Sequence, residues 1–165
     1  DVIFSGTCGA ARYASMMGIP GIALSVDFNS YRNPADKSSD LYYDSLADFA
    51  CKNLEKLIAL CGEKKALDDR YVYECFVNVN SPCLREYKGV KLTSPCVRRY
   101  YDKILIEKES DGSMSSKCVG EVKCFSMGDE NADYRATENG FVSVSSVYTE
   151  VAAMDLSGMK NSFIL

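Results

Sequence analysis

The chain has 165 residues, with 19 Lys+Arg against 23 Asp+Glu and a formal net charge of −4. Apolar residues at 47%, charged residues at 25% and only four prolines exclude a disordered or collagenous chain and predict one globular domain, 1–165, with a core of its own. Histidine is absent, which excludes Ser-His-Asp and Cys-His catalysis, HExxH zinc sites and a histidine general base. The mild acidity, without a Lys/Arg run, gives no footprint for a nucleic-acid duplex or an anionic membrane. No run of about 18 apolar residues is present to span a bilayer. The chain starts at Asp1 rather than Met and shows no basic-then-apolar leader, which leaves room for a preceding segment. Cys8, Cys51, Cys61, Cys75, Cys83, Cys96, Cys118 and Cys124 include no CxxC pair, so zinc-ribbon spacing is missing. With this apolar content the thiols are expected reduced, in the core of a cytoplasmic protein.

Val2-Ile3-Phe4 is a short apolar run that meets Ser5-Gly6-Thr7, and residues 8–17 then read as a helix. Gly18 stands at the position after a helix end and Pro20 follows, the usual order of stop signals. Residues 19–26 are almost continuously apolar, which predicts a strand of a parallel sheet covered on both faces. Residues 27–40, rich in Asn, Ser, Asp and Pro, read as a surface loop. Over 41–61, Leu46, Ala50, Leu54, Leu57, Ile58 and Cys61 recur at helical spacing and predict one amphipathic helix ended by Gly62, its stripe packed on the core.

Beyond Asp69 the period becomes two. Tyr71, Tyr73, Cys75, Val77 and Val79 share one face of a predicted strand, with Glu74, Asn78 and Asn80 on the other. Residues 90–93 continue in the same style. Residues 100–106 lead to Asp111-Gly112, which suits a hairpin tip, and a return strand is predicted near 117–125. After the acidic Asp129-Glu130-Asn131 loop, Asn139-Gly140 introduces an alternating strand over 141–145. Residues 1–68 thus read as an α/β part and 69–165 as a β-rich part.

Ser5-Gly6-Thr7 lies where extended chain turns into helix. Free N–H groups and the positive end of the helix dipole suit an anion there, above all phosphate, while spacing alone favours the simpler reading in which Ser5 or Thr7 merely caps the helix. Asn78 and Asn80 put two amides on one strand face, for a ligand or for neighbouring backbone. Arg98-Arg99-Tyr100-Tyr101 could grip a phosphate or a partner chain, or form a solvated strand edge. Asp68-Asp69, in a turn with no third ligand nearby, reads as solvated, and Asp133 as a structural contact.

Together these segments resemble the SurE family of survival proteins. Phe4-Ser5-Gly6-Thr7-Cys8-Gly9-Ala10-Ala11-Arg12 and Gly18-Ile19-Pro20-Gly21-Ile22-Ala23-Leu24-Ser25 are similar to that family's YSGTVGAA and GIPAIAVS stretches. Tyr43-Asp44-Ser45, Val77-Asn78-Val79-Asn80-Ser81-Pro82, Lys88-Gly89-Val90-Lys91-Leu92-Thr93, Arg98-Arg99-Tyr100-Tyr101-Asp102, and Ala132-Asp133-Tyr134 with the strand from Gly140 follow in the family's order.

The resemblance implies an α/β fold with a Rossmann-like parallel sheet, here partial, and a β-hairpin-rich extension that builds homodimers or homotetramers. It also implies a metal-dependent phosphatase (5'/3'-nucleotidase) acting on nucleoside monophosphates or other phosphomonoesters, this chain being the later part. The alternative is a non-catalytic SurE-like oligomerisation module. Ser5, Gly6 and Thr7 match the family's phosphate-contacting segment. The Mg²⁺ or Mn²⁺ ion that the family implies would be held by an Asp-Asp pair, a Ser and an Asn with no counterpart in this chain, so no metal ligand is expected here.

Overall fold

A computed structural model describes residues 2–28, 41–67, 69–125 and 130–150. Among the described residues, four helices and ten strands follow in the order α1 (Gly6–Met16), β1 (Ile22–Asp27), α2 (Tyr43–Lys52), α3 (Leu54–Ala59), β2 (Lys64–Leu67), β3 (Arg70–Tyr73), β4 (Cys75–Pro82), β5 (Val90–Leu92), β6 (Val97–Tyr100), β7 (Lys103–Lys108), β8 (Met114–Val119), β9 (Val122–Phe125), α4 (Asp133–Glu138) and β10 (Val142–Tyr148). Much of the 27–40 loop, Asp68 and Asp129 fall outside the described residues.

The central sheet has the order β1-β4-β10-β5. β1 runs parallel to β4, β10 antiparallel to β4, and β5 parallel to β10, so the sheet is mixed rather than wholly parallel. Side-chain alternation gives it two unlike faces. On one, Val26, Val77, Val79, Val142 and Val144 form the main core with Leu46 of α2 and Leu57 of α3. Burying each such aliphatic side chain contributes about 1.5–3 kcal/mol. The other face is apolar only where α1 covers it: Cys8 and Ala11 meet Ala23 and Phe76. Beyond that patch it carries Ser25, Asn78, Asn80, Ser143 and Ser145, which pair in register across β1, β4 and β10.

Helix α1 begins and ends on local signals. Ser5 is the N-cap, and its Oγ accepts the Cys8 N–H at 3.2 Å. At the other end Gly18 takes φ +75°. There the Gly18 N–H donates to Ser15 O at 3.1 Å and the Ile19 N–H to Ala14 O at 3.0 Å, a Schellman closure that needs a residue tolerant of left-handed backbone. The chain then re-enters under its own helix at Gly21, where a Cβ would sit 1.9 Å from Ala11 O. Only glycine fits this crossing.

Four expectations are corrected, the last of them in the arm. The helix expected over 41–61 is two, α2 and α3, because Asn53 leaves helical geometry (φ −116°, ψ 13°) and its Nδ2 donates to Phe49 O at 2.9 Å, competing with the ladder. The strand expected through Tyr71 and Val79 is broken at Glu74. β3 pairs with β2 in an outlying hairpin, while β4 enters the central sheet. The strand β1, expected to be covered on both faces, is so only in part: Ala23 and Val26 are buried on opposite faces, while Leu24 is 37% exposed.

The remaining strands form a two-tier arm. β6 pairs with β9 at its base and β7 with β8 beyond, so the single expected return strand is two, β8 and β9. Its tip is the expected Asp111-Gly112 turn, with Gly112 at φ +88°. There Asp111 Oδ1 accepts from the Ser113 hydroxyl and amide, which holds its carboxyl below the ordinary carboxylate range.

Candidate functional site

The N terminus of α1 and the carboxyl ends of the parallel strands β1 and β4 open onto one cavity of about 550 Å³. In an open α/β sheet this is where ligands are held, because loops diverge there and helix N termini point inward. Ser5 and Cys8 of α1, Ser25 and Asp27 of β1, and Asn78 and Asn80 of β4 line it. The arm and α4 close the far side, through Arg98 and Tyr100 of β6, Asp102, and Asp133, Tyr134 and Thr137.

The first rung of the α1 ladder is the Gly9 N–H to Ser5 O at 2.8 Å, and the Cys8 amide is taken by Ser5 Oγ. The amides of Gly6 and Thr7 precede the ladder and stay available to an incoming acceptor. Both residues are exposed, and Ser5 is half-buried at the cavity wall.

Charge in the cavity is predominantly negative: Asp27, Asp102 and Asp133 against Arg98. The Arg98 guanidinium lies 3.6 Å from Asp27 Oδ2, with both side chains largely buried. The pair ties the base of the arm to the end of β1. Asp133 Oδ1 accepts the Cys96 amide at 3.0 Å and the Tyr134 amide at 2.7 Å, anchoring the segment before β6 onto α4. Its role is a structural contact, as its sequence setting suggested.

These carboxylates do not form a divalent-ion site. Asp27 faces a guanidinium and Asp133 accepts two amides. Among the described residues no group of three or more His, Cys, Asp or Glu side chains converges. A hard divalent cation needs several unengaged oxygens at one point, and this donor set does not fit one. Asp69, whose side chain is 90% exposed and 3.7 Å from the Arg70 Nε, does not line the cavity.

Of the residues singled out in the sequence, Ser5, Asn78, Asn80, Arg98, Tyr100 and Asp133 meet at the cavity, whereas Gly6 and Thr7, next to Ser5 in the first turn of α1, and Arg99 and Tyr101 do not line it. Cys8, Ser25, Asp27, Tyr134 and Thr137 belong to it without having been marked. Only the sheet register, with Ser25 opposite Asn80, reveals Ser25.

Fold and site together define an α/β protein with a ligand crevice where parallel strands end against a helix N terminus. The model of the family described as survival protein SurE matches residues 1–102, and the chain belongs to that family. A protein from Symbiobacterium thermophilum named 5'-nucleotidase SurE is 32% identical over 157 residues, covering 94% of this chain and 54% of the relative. A protein of the same name from Deinococcus radiodurans is 28% identical over 159 residues, covering 96% and 53%. The crystal structure of the SurE protein from Aquifex aeolicus superposes with a TM-score of 0.56 at 24% identity, over 92% of this chain and 54% of that one, a likeness of fold. The chain spans about half the length of the curated relatives it matches. Among the described residues no helix is long and apolar enough to cross a membrane.

Proposed function

We propose that this chain is the later part of a phosphatase acting on nucleoside 5'- or 3'-monophosphates, and that Ser5, Gly6 and Thr7 hold the phosphate. The observation that carries the reading is the cavity at the α1 N terminus, a place suited to a phosphoryl group by free amides and helix dipole. The names of the relatives from Symbiobacterium thermophilum and Deinococcus radiodurans support the nucleotide as substrate.

In this reading the Gly6 and Thr7 amides and the Thr7 hydroxyl donate to the phosphoryl oxygens, while the Ser5 Oγ keeps the first turn closed. Such donors, fixed before the substrate arrives, stabilise charge on the phosphoryl oxygens without reorganising. Three carboxylates against one guanidinium make the lining acidic. That acidity favours a counter-cation accompanying a phosphate dianion. The family reading supplies one, Mg²⁺ or Mn²⁺, held by residues outside this chain.

A phosphate-release assay on the full-length protein with a nucleoside monophosphate and Mg²⁺ or Mn²⁺ tests the reading. Release is expected, and no release with either metal would sink it. Thr7→Ala should bind inorganic phosphate more weakly at an unchanged unfolding midpoint, and equal affinity would remove Thr7 from the site.

A second reading, a non-catalytic module that assembles homodimers or homotetramers, is favoured by the arm. Ile104, Ile106 and Met114 are 72%, 65% and 64% exposed there. Such a row of apolar side chains on a two-stranded ribbon invites a second copy. Light scattering showing a dimer or tetramer, with no phosphate release, would select this reading over the enzyme.

A further inference from the structure

Helix-terminal amides do not account for the polar row on the sheet itself. Asn78 is 4% exposed, and its Oδ1 takes only the weak Cys8 Sγ donor at 3.4 Å. Among the described residues nothing accepts from its Nδ2, and the Asn80 carboxamide makes no hydrogen bond. Both side chains line the cavity. Their amide donors face the cavity and are open to an acceptor that enters it.

The neighbouring polar groups are, by contrast, satisfied among themselves. The Thr93 hydroxyl bonds Ser143 Oγ at 2.7 Å and Ser145 Oγ at 2.8 Å. Ser143 and Ser145 stand opposite Asn80 and Asn78 in the β4–β10 register. This hydroxyl layer, with Ser143 at 0% and Ser145 at 1% exposure, backs the two asparagines without consuming their amide protons. What remains facing the cavity is a pair of neutral donors. The guanidinium of Arg98 already lies against Asp27. Neutral donors among carboxylates suit a ligand group made of acceptors, such as phosphoryl oxygens.

We propose that the Asn78 and Asn80 carboxamides orient the phosphoryl group of the substrate in this cavity, and that Thr93, through Ser143 and Ser145, is a positioning residue for them. The inference rests on the phosphomonoester reading above. It adds two substrate-contacting residues from the middle of the sheet.

Calorimetric titration of the full-length protein with inorganic phosphate tests it. Asn80→Asp, which replaces donors by a negative charge, should weaken binding about tenfold or more, and Asn80→Ala about tenfold. Asn80 is half-buried, and neither variant should lower the unfolding midpoint enough to explain such a loss. Thr93→Val should weaken binding about threefold and Thr93→Ser restore it, a rescue that a purely structural role for the methyl group would not give. Wild-type affinity in both Asn80 variants overturns the proposal while leaving the phosphatase reading intact. A wild-type protein that neither binds phosphate nor releases it from a nucleoside monophosphate overturns both.

Discussion

The two faces of the central sheet are built from the same strands by the same alternation, and they do opposite work. Toward α2 and α3, Val77, Val79, Val142 and Val144 are closed off from water. Toward α1 and α4, the residues interleaved with them are Asn78, Ser143 and Ser145, equally inaccessible or nearly so, and the half-buried Asn80, all of them polar. Polar groups are hidden at a cost that an apolar residue would avoid. Where a strand accepts that cost on one face only, and that face ends in a cavity, stability and binding have been assigned to different sides of one backbone. Substitutions on the two faces should therefore separate the two properties.

The largest effect should come where helix and sheet touch. Gly21→Ala places a Cβ against Ala11 O, which lies 1.9 Å from its ideal position, and should cost about 3 kcal/mol or more in urea denaturation. A variant as stable as the wild type would mean that α1 does not pack on β1 as described. Next, Val77→Ala on the apolar face should cost about 2 kcal/mol with phosphate affinity unchanged. Altered affinity in that variant would break the separation of the faces. Ser5→Ala removes the α1 cap and should cost about 1 kcal/mol while also weakening phosphate binding, because this residue belongs to both structure and site.

The smallest effect is a dependence on pH. Burial pushes the Cys61 thiol above its ordinary value of 9.0, and the same cause raises Cys75. The unfolded thiols therefore ionise first. The stability contributed by keeping them neutral is complete below about pH 9 and is lost as pH rises through the folded values. Denaturation midpoints measured from pH 8 to pH 10 should fall less steeply in Cys61→Ala than in the wild type, and parallel slopes would contradict the assignment.

What was legible in the sequence was local. The Ser5 cap, the Gly18 stop, the Asp111-Gly112 tip and the Asn139-Gly140 entry to β10 are each written in a few adjacent residues whose backbone preferences decide the outcome. What was not legible depends on partners distant in the chain. The break at Glu74 exists because β3 finds β2 and β4 finds the central sheet, although the alternation runs through both strands unbroken. Helix α4 is six residues, too short for a period to show. In the site, Ser5 and the Asn78/Asn80 pair could be marked from their spacing. The Asp27 and Arg98 contact could not, since nothing local in either residue announces the other.

The most direct test of the division between the faces is a map of amide chemical-shift changes as inorganic phosphate is added to the full-length protein. The largest changes are expected at Gly6, Thr7 and Cys8, at Ser25, and at Asn78 and Asn80, with little at Leu46, Leu57 and Val142 on the opposite side. Changes concentrated around α2 and α3 or along the β7–β8 arm, or none at saturating phosphate, would contradict it.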